Sequence, residues 1–460
     1  MSIEKKIVVA GGGIAGLSLA YNLILAGIPP KDIAVIEKES QAGGNIKTFK
    51  NSDICIDEGP NGFLDNAPHT IELIDNLKIG DNLLKSSPLS SDRFIYRAKK
   101  LRKIESNPLK FLTGGVLPLH ETVRVALEPF QKQTDKKYES VYEFAKRRIG
   151  KGAASILVDA MVSGVFAGDA KKLELASAFP KMYAMEKEHG SLVKAMIAKK
   201  KAGQQGGGPA GPGGRLTSFK DGLYVLINAL EKKLRDILVT GIEVTDIDRE
   251  NNLYKVNLSS GEVITAQTVV LATPAWASAN IVKKLDPQIA EELMKIYYPP
   301  VTVVATAYPS AAFKVIPKGF GFLVPRNQDV SILGTLWTSS VFSNRAKDDT
   351  VLLRTMTGGA LNSADALLDD SQITALVNDS LKKVMNINIA PEFIKIFRYK
   401  KAIAQYNTGH QEKLKKLSLL SNKYQGFYLT GSSYNGISIN NCITASKQIA
   451  PIIIKFIQKN

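Results

Sequence analysis

The run Gly11-Gly12-Gly13-Ile14-Ala15-Gly16 constrains this chain more than any other feature, because of what flanks it. Before it stands a short apolar run, Lys6-Ile7-Val8-Val9-Ala10, with the composition of a β-strand. After it, Leu17 to Ala26 has helical composition and stops at Gly27, a residue suited to the position just past a helix. Ile33-Ala34-Val35-Ile36 resumes as a strand and ends on Glu37. The whole is G-x-G-x-x-G inside a βαβ unit whose second strand closes on an acid. Glycines let the backbone approach a pyrophosphate, and the helix start presents unpaired N–H groups to it. Glu37 can accept hydrogen bonds from ribose hydroxyls. The unit reads as a dinucleotide site.

Composition narrows the rest. A chain of 460 residues exceeds what one hydrophobic core fills, so two or three domains are expected. Two cysteines, Cys55 and Cys442, make neither a disulfide framework nor a four-cysteine metal site, which fits a reducing compartment. The four histidines are scattered, with no pair at metal-ligand spacing, so no metal site is expected. Met1 leads almost directly into a strand, which leaves no room for a signal peptide. No apolar stretch reaches 18 residues, so no membrane-spanning helix is expected. The net charge of +17 suits an anionic surface or substrate, but no nucleic-acid motif accompanies it, and nucleic acid is not expected as a partner.

Further along, Tyr142 to Lys201 has a helical pattern, and Gly203 to Gly214 reads as a flexible surface loop. A helix is expected from Gly222 to Leu238, then a strand over 242–247 with a hairpin at Asn251-Asn252. Thr268 to Pro274 is a continuous apolar run that suits a parallel strand buried on both faces. Residues 301–360 read as a separate antiparallel sheet, and a closing helix is expected from about Cys442. Gly43-Gly44 follows Glu37 after five residues. That E-x5-GG pattern resembles the flavoprotein group of amine oxidases and carotenoid desaturases, which hold FAD. Gln41 stands where the group usually has an arginine.

Two longer blocks are more specific. Val162-Ser163-Gly164-Val165-Phe166-Ala167-Gly168-Asp169 resembles the signature of protoporphyrinogen oxidases, and so does Leu429 to Ile443 with Gly431-Ser432-Ser433-Tyr434-Asn435-Gly436. Gln405 to His410 and Gly319 to Pro325 match as well, in the family's order, with Asn441 where aspartate is usual. The resemblance implies a flavin oxidase that converts a porphyrinogen into a porphyrin, passing six electrons to FAD in three hydride-like steps, with O₂ reduced to hydrogen peroxide. It also explains the lack of acid–base clusters, since the cofactor carries the hard chemistry.

Residue by residue, the resemblance implies that Arg93 anchors a propionate, which a planar guanidinium suits. It makes Phe320, Leu323, Leu336 and Met356 the apolar wall of the macrocycle pocket, with the backbone of Gly164 approaching the macrocycle. For FAD it implies Gly11, Gly12, Gly13, Ile14, Ala15 and Gly16 at the pyrophosphate, Glu37 and Lys38 at the ribose, Val244 at the adenine, and Asn45. Gly59, Pro60, Asn61 and Gly62 would lie near the isoalloxazine, together with Ser432, Ile437, Ser438 and Ile439. No residue stands out as a catalytic acid or base; His410 reads as structural.

The expected fold is α/β: a Rossmann-like FAD domain assembled from 1–90, 211–295 and 401–460, an antiparallel-sheet substrate domain over 296–400, and an inserted helical, membrane-associating domain over 91–210. The insert's basic composition is expected to hold the protein on the cytoplasmic face of an anionic membrane. Ferrochelatase and a second copy of the chain are further candidate partners. Protoporphyrinogen IX is the expected substrate. Coproporphyrinogen III is the alternative, a carotenoid desaturase or amine oxidase a more distant one, and a flavin-free escort protein another.

Overall fold

A computed structural model describes residues 3–105, 110–111, 114–134, 136–201 and 213–459. Most of the expected glycine-rich loop, residues 202–212, lies outside the described residues. Two seven-stranded sheets organise the rest.

In the first sheet Ile3–Ala10 lies between Ile33–Glu37 and Val263–Leu271, all parallel, with Leu238–Thr240 and Phe427–Leu429 also parallel. Ile7 to Ala10 and Ile33 to Ile36 are buried throughout, because helices cover both faces. Ile7, Val9 and Val35 pack on Leu17, Leu226 and Ile443 from helices Ile14–Leu25, Tyr224–Leu234 and Ile439–Lys459. Val8, Ala10 and Ile36 meet Ala275, Ala279 and Ile289 on the other side. The apolar strand expected from Thr268 begins earlier, at Val263, and its first half pairs antiparallel with Leu253–Leu258. The expected hairpin is present, with Asn251 and Asn252 both at positive φ in its two-residue turn. The closing helix starts at Ile439, three residues before the expected position.

The second sheet runs Phe393–Tyr399, Val301–Pro309, Thr350–Gly358, Ile332–Trp337, Gly321–Leu323, Arg93–Arg97, Lys100–Lys103. It differs from expectation in two ways. The pairing of Gly321–Leu323 with Arg93–Arg97 is parallel, so the sheet is mixed. Residues 93–103, counted above with the helical insert, form an edge hairpin of this sheet instead. The reason lies in Arg93-Phe94-Ile95-Tyr96-Arg97, an alternating strand that precedes Ala98 and Lys99, both at positive φ. One face of the sheet, with Val304, Tyr308, Phe322 and Leu353, packs on Ile373, Val377 and Leu381 of helix Asp370–Met385.

Helices from Leu119–Ala126 to Leu192–Lys201 follow one another in the chain, and Val141, Val162 and Phe166 share the core of the first sheet. Among these helices a fully buried Arg148 is paired with Glu128 and, at 3.3 Å, with Glu186. Glu128 also accepts from Ser191 Oγ and from the Leu192 and Val193 N–H groups, capping the start of Leu192–Lys201.

Candidate active site

The fingerprint turn folds as its glycines demand. Gly11 has φ +107°, and a Cβ on Gly16 would lie 2.0 Å from the Gly11 carbonyl oxygen, so helix and turn meet without room for a side chain. At Gly13 a Cβ would meet nothing within 4 Å. The helix that follows has no side-chain cap. An uncapped helix start beside open space is a place for an anion, and these residues fit the pyrophosphate of a dinucleotide. Glu37, 7% exposed, accepts from the Gly12 N–H at 2.6 Å and the Glu39 N–H at 2.9 Å. The carboxylate retains lone pairs for ribose hydroxyls. Val244 is buried nearby, the Ile242 N–H donating to the Glu37 carbonyl at 3.1 Å. Lys38 is exposed beside Trp276.

From this turn a continuous path of contacts leads to the second sheet. The Gly43 N–H donates to the Gly12 carbonyl at 2.8 Å. A Cβ on Gly44 would touch Gly13, and one on Gly59 would lie 2.2 Å from the Asn45 carbonyl oxygen. Arg354 then donates to the carbonyls of Glu58 (3.0 Å) and Gly59 (2.7 Å) and to Asn61 Oδ1 (3.2 Å). Asn61 Nδ2 and Arg354 Nε are buried without a partner among the described residues. The carboxy-terminal block closes on the same turn, where Ser446 Oγ donates to the Ala15 carbonyl at 2.7 Å. Ser432 is fixed by Tyr406, whose hydroxyl donates to its carbonyl at 2.5 Å and accepts from the Gly436 N–H at 2.9 Å. Ile437 and Ser438 lead from there into the closing helix at Ile439.

Strand register lines up the residues expected to meet the substrate. Arg93 pairs with Gly321, Gly321 with Leu336, and Leu336 with Arg354, so these four form one row across the sheet. Ile95, Leu323, Gly334 and Met356 form the next row, two residues along each strand and so on the same face. This is the face opposite helix Asp370–Met385. Gly164 reaches it from helix Asp159–Phe166: a Cβ there would lie 2.4 Å from Leu323 Cδ2. Arg326 holds that helix to the sheet by pairing with Asp159 and, at 2.9 Å, with Asp169 at the end of the signature block.

Arg93 is accessible to solvent, yet surrounding protein pushes its guanidinium below its usual pKa, as expected inside a concavity. Its guanidinium carbon lies 5.2 Å from the Phe320 ring centroid, and no carboxylate is within ion-pair distance among the described residues. His410 is buried and stacks on Tyr406 at 4.2 Å. Burial pushes its pKa down to about 3, and neither ring nitrogen has a partner among the described residues.

Sequence reading did not single out Arg354, Arg345, Arg326 or Tyr406. Arg345 is fully buried and donates to Asp57 at 3.3 Å and to Ser218 at 2.8 Å, residues of the short strands Cys55–Asp57 and Leu216–Phe219 outside the two seven-stranded sheets. The available signal for Arg354 was a cation inside the apolar run Thr350–Gly358, at the spacing that shares a face with Met356.

The uncapped start of helix Ile14–Leu25, with open space at Gly13, suits the pyrophosphate of a flavin dinucleotide. Residues 14–454 match the family model described as flavin containing amine oxidoreductase. The chain belongs to that family. Relatives similar to this chain include a coproporphyrinogen III oxidase of Bacillus subtilis, 31% identical across 96% of this chain and 97% of the relative. A chloroplastic protoporphyrinogen oxidase of Nicotiana tabacum is 29% identical across 99% of this chain and 86% of the relative. Among solved structures, a reduced UDP-galactopyranose mutase superposes with a TM-score of 0.75 at 15% identity, covering 98% of this chain and 96% of that one. Cyclohexylamine oxidase from Brevibacterium oxydans gives 0.72 at 15%, covering 98% and 99%. The fold shared with amine oxidases thus extends well beyond the amino-terminal fingerprint, to nearly the whole chain.

Proposed function

We propose that this protein binds FAD and oxidises a porphyrinogen to the corresponding porphyrin in haem biosynthesis. The observation that carries the reading is the convergence of Arg93, Leu323, Leu336, Met356 and Gly164 on one sheet face, with a full-length relative at 31% identity named for such an oxidation. Bound FAD supplies the hydride acceptor, with O₂ as the terminal oxidant and hydrogen peroxide as its product. The chain's own work is to bind and orient. Arg93 holds a propionate, Phe320 keeps the guanidinium in place, and the apolar wall excludes water from the macrocycle. Asn61 and the Gly59–Gly62 segment, with Ser432 and Ile437 to Ile439, are proposed to seat the ring of the cofactor.

Protoporphyrinogen IX is the proposed substrate. The Bacillus subtilis relative supports coproporphyrinogen III as the second reading. Comparing kcat/KM for the two porphyrinogens under air decides between them, and turnover of neither would remove the proposal.

The proposed domain division keeps 1–90, 211–295 and 401–460 with the cofactor, 296–400 with the substrate and 91–210 as the insert, the edge hairpin of 93–103 being the insert's contribution to the substrate sheet. No helix among the described residues is long and apolar enough to cross a membrane. Association with the cytoplasmic face of an anionic membrane is proposed to run through Leu119, Val123, Leu127 and Phe130, exposed apolar residues at helical spacing. Hand-over of product to ferrochelatase, and pairing with a second copy, are proposals that rest on the family resemblance alone.

A further inference from the structure

Arg354 is 5% exposed and has no carboxylate within ion-pair distance among the described residues. Burial pushes its guanidinium below its usual pKa, so the protein keeps a cation where solvation is poor. Asp57 and Glu58 stand close enough to favour the charge, but neither pairs with it: Asp57 is taken by Arg345 at 3.3 Å, and Glu58 offers Arg354 only its backbone carbonyl. Tyr399, also nearby, is pushed up to about 12 and stays uncharged at neutral pH. The three acceptors of Arg354 are a pair of backbone carbonyls and an amide oxygen, which a neutral donor could satisfy. A buried, unpaired charge is costly when it does nothing beyond hydrogen bonding.

We infer that Arg354 is a positioning residue for the oxidation: it fixes the Glu58–Asn61 segment through its forked donors and sets a positive potential that makes the bound flavin a stronger hydride acceptor. The inference rests on the proposed FAD-dependent porphyrinogen oxidation. Each step breaks a porphyrinogen C–H bond and moves its hydrogen nucleus with the electron pair to the flavin. The substrate would be oxidised and the bound flavin reduced, with one proton leaving to solvent at each step; tautomerisation moves the fourth meso hydrogen to a pyrrole nitrogen, so that four C–H and two N–H hydrogens are lost over the three steps. O₂ then takes the two electrons with two protons and becomes hydrogen peroxide. A fixed cation nearby favours the electron-rich side of the first transfer. Arg354 shares its strand with Met356 and closes the row Arg93–Gly321–Leu336–Arg354, so its hydrogen bonds tie the Glu58–Asn61 segment to the proposed substrate wall.

The test uses FAD-loaded full-length protein with Arg354→Gln and Arg354→Lys. Midpoint potential of the bound flavin, FAD affinity, kcat and KM are measured together. Arg354→Gln should lower the midpoint potential and reduce kcat by roughly tenfold or more, with KM within about twofold of wild type. Arg354→Lys should keep the potential near wild type while FAD affinity and kcat fall several-fold, because an ammonium lacks the planar fork. A wild-type potential and kcat in Arg354→Gln would overturn the inference. If Arg354→Gln does not fold, wild-type FAD affinity and kcat in Arg354→Lys would overturn it. A wild-type protein that holds FAD yet turns over neither porphyrinogen, while Arg354→Gln still lowers the midpoint potential, would contradict the proposed substrate and leave the cation's effect on the flavin standing. Failure to bind FAD would remove both.

Discussion

The Arg93 guanidinium carbon stands 5.2 Å from the centroid of the Phe320 ring, held by a cation–π contact with no ion-paired carboxylate among the described residues. The charge is therefore oriented and unspent, which is the state a carboxylate-binding arginine needs. Arg93→Ala is expected to lower kcat/KM for the porphyrinogen by roughly ten- to a hundredfold, from the usual strength of a charge-assisted contact. The flavin spectrum should not change. Arg93→Lys should recover only part of the loss. Steady-state kinetics check both.

Gly13 and Gly16 should fail differently. A Cβ at Gly13 would meet nothing within 4 Å among the described residues, whereas one at Gly16 would lie 2.0 Å from the Gly11 carbonyl oxygen. Gly13→Val is expected to purify folded but without FAD, because valine occupies the space assigned to the pyrophosphate. Gly16→Val is expected to lose the fold itself. Absorbance of the purified proteins and their melting curves separate the two outcomes.

These contrasts show what a linear reading can reach. The fingerprint was legible because strand, turn and helix are adjacent in the chain, so spacing alone carries the geometry. The edge hairpin at 93–103 was assigned to the insert because its lysines and arginines dominate the composition, while its partner strand Gly321–Leu323 is over two hundred residues away. The row joining Arg93 to Arg354 depends on register across four strands, which no local pattern states. Gly164 was placed by resemblance, and its contact with Leu323 emerges only when helix Asp159–Phe166 docks on the sheet.

Acid should destabilise the fold through His410. Its pKa is depressed to about 3 in the folded protein, below the ordinary histidine value, so the unfolded chain binds the extra proton first. Stability is then fully present above about pH 6.5 and is lost as pH falls toward 3, by on the order of 1.5 kcal/mol between pH 6.5 and 5. His410→Phe keeps the stacking on Tyr406 and removes two ring nitrogens that have no partner among the described residues. Its melting temperature at neutral pH should be equal or higher, and its fall between pH 6.5 and 5 shallower than wild type. Thermal melts across that range provide the check.

The apolar patch at Leu119, Val123, Leu127 and Phe130 predicts binding to membranes without insertion of a span. The protein should float with anionic vesicles and less so at high salt, since screening weakens the basic contribution. Val123→Asp with Phe130→Asp should reduce flotation and leave porphyrinogen turnover in detergent unchanged. Equal flotation of variant and wild type would assign the contact to another surface.

Anaerobic mixing of FAD-loaded protein with a porphyrinogen tests the central claim most directly, because it isolates electron transfer into the cofactor from the reaction with oxygen. Flavin absorbance near its visible maximum should bleach on mixing, and admission of air should restore it with porphyrin fluorescence and hydrogen peroxide appearing together. Flavin that stays oxidised with both protoporphyrinogen IX and coproporphyrinogen III, in a protein that holds a full complement of FAD, would contradict the account.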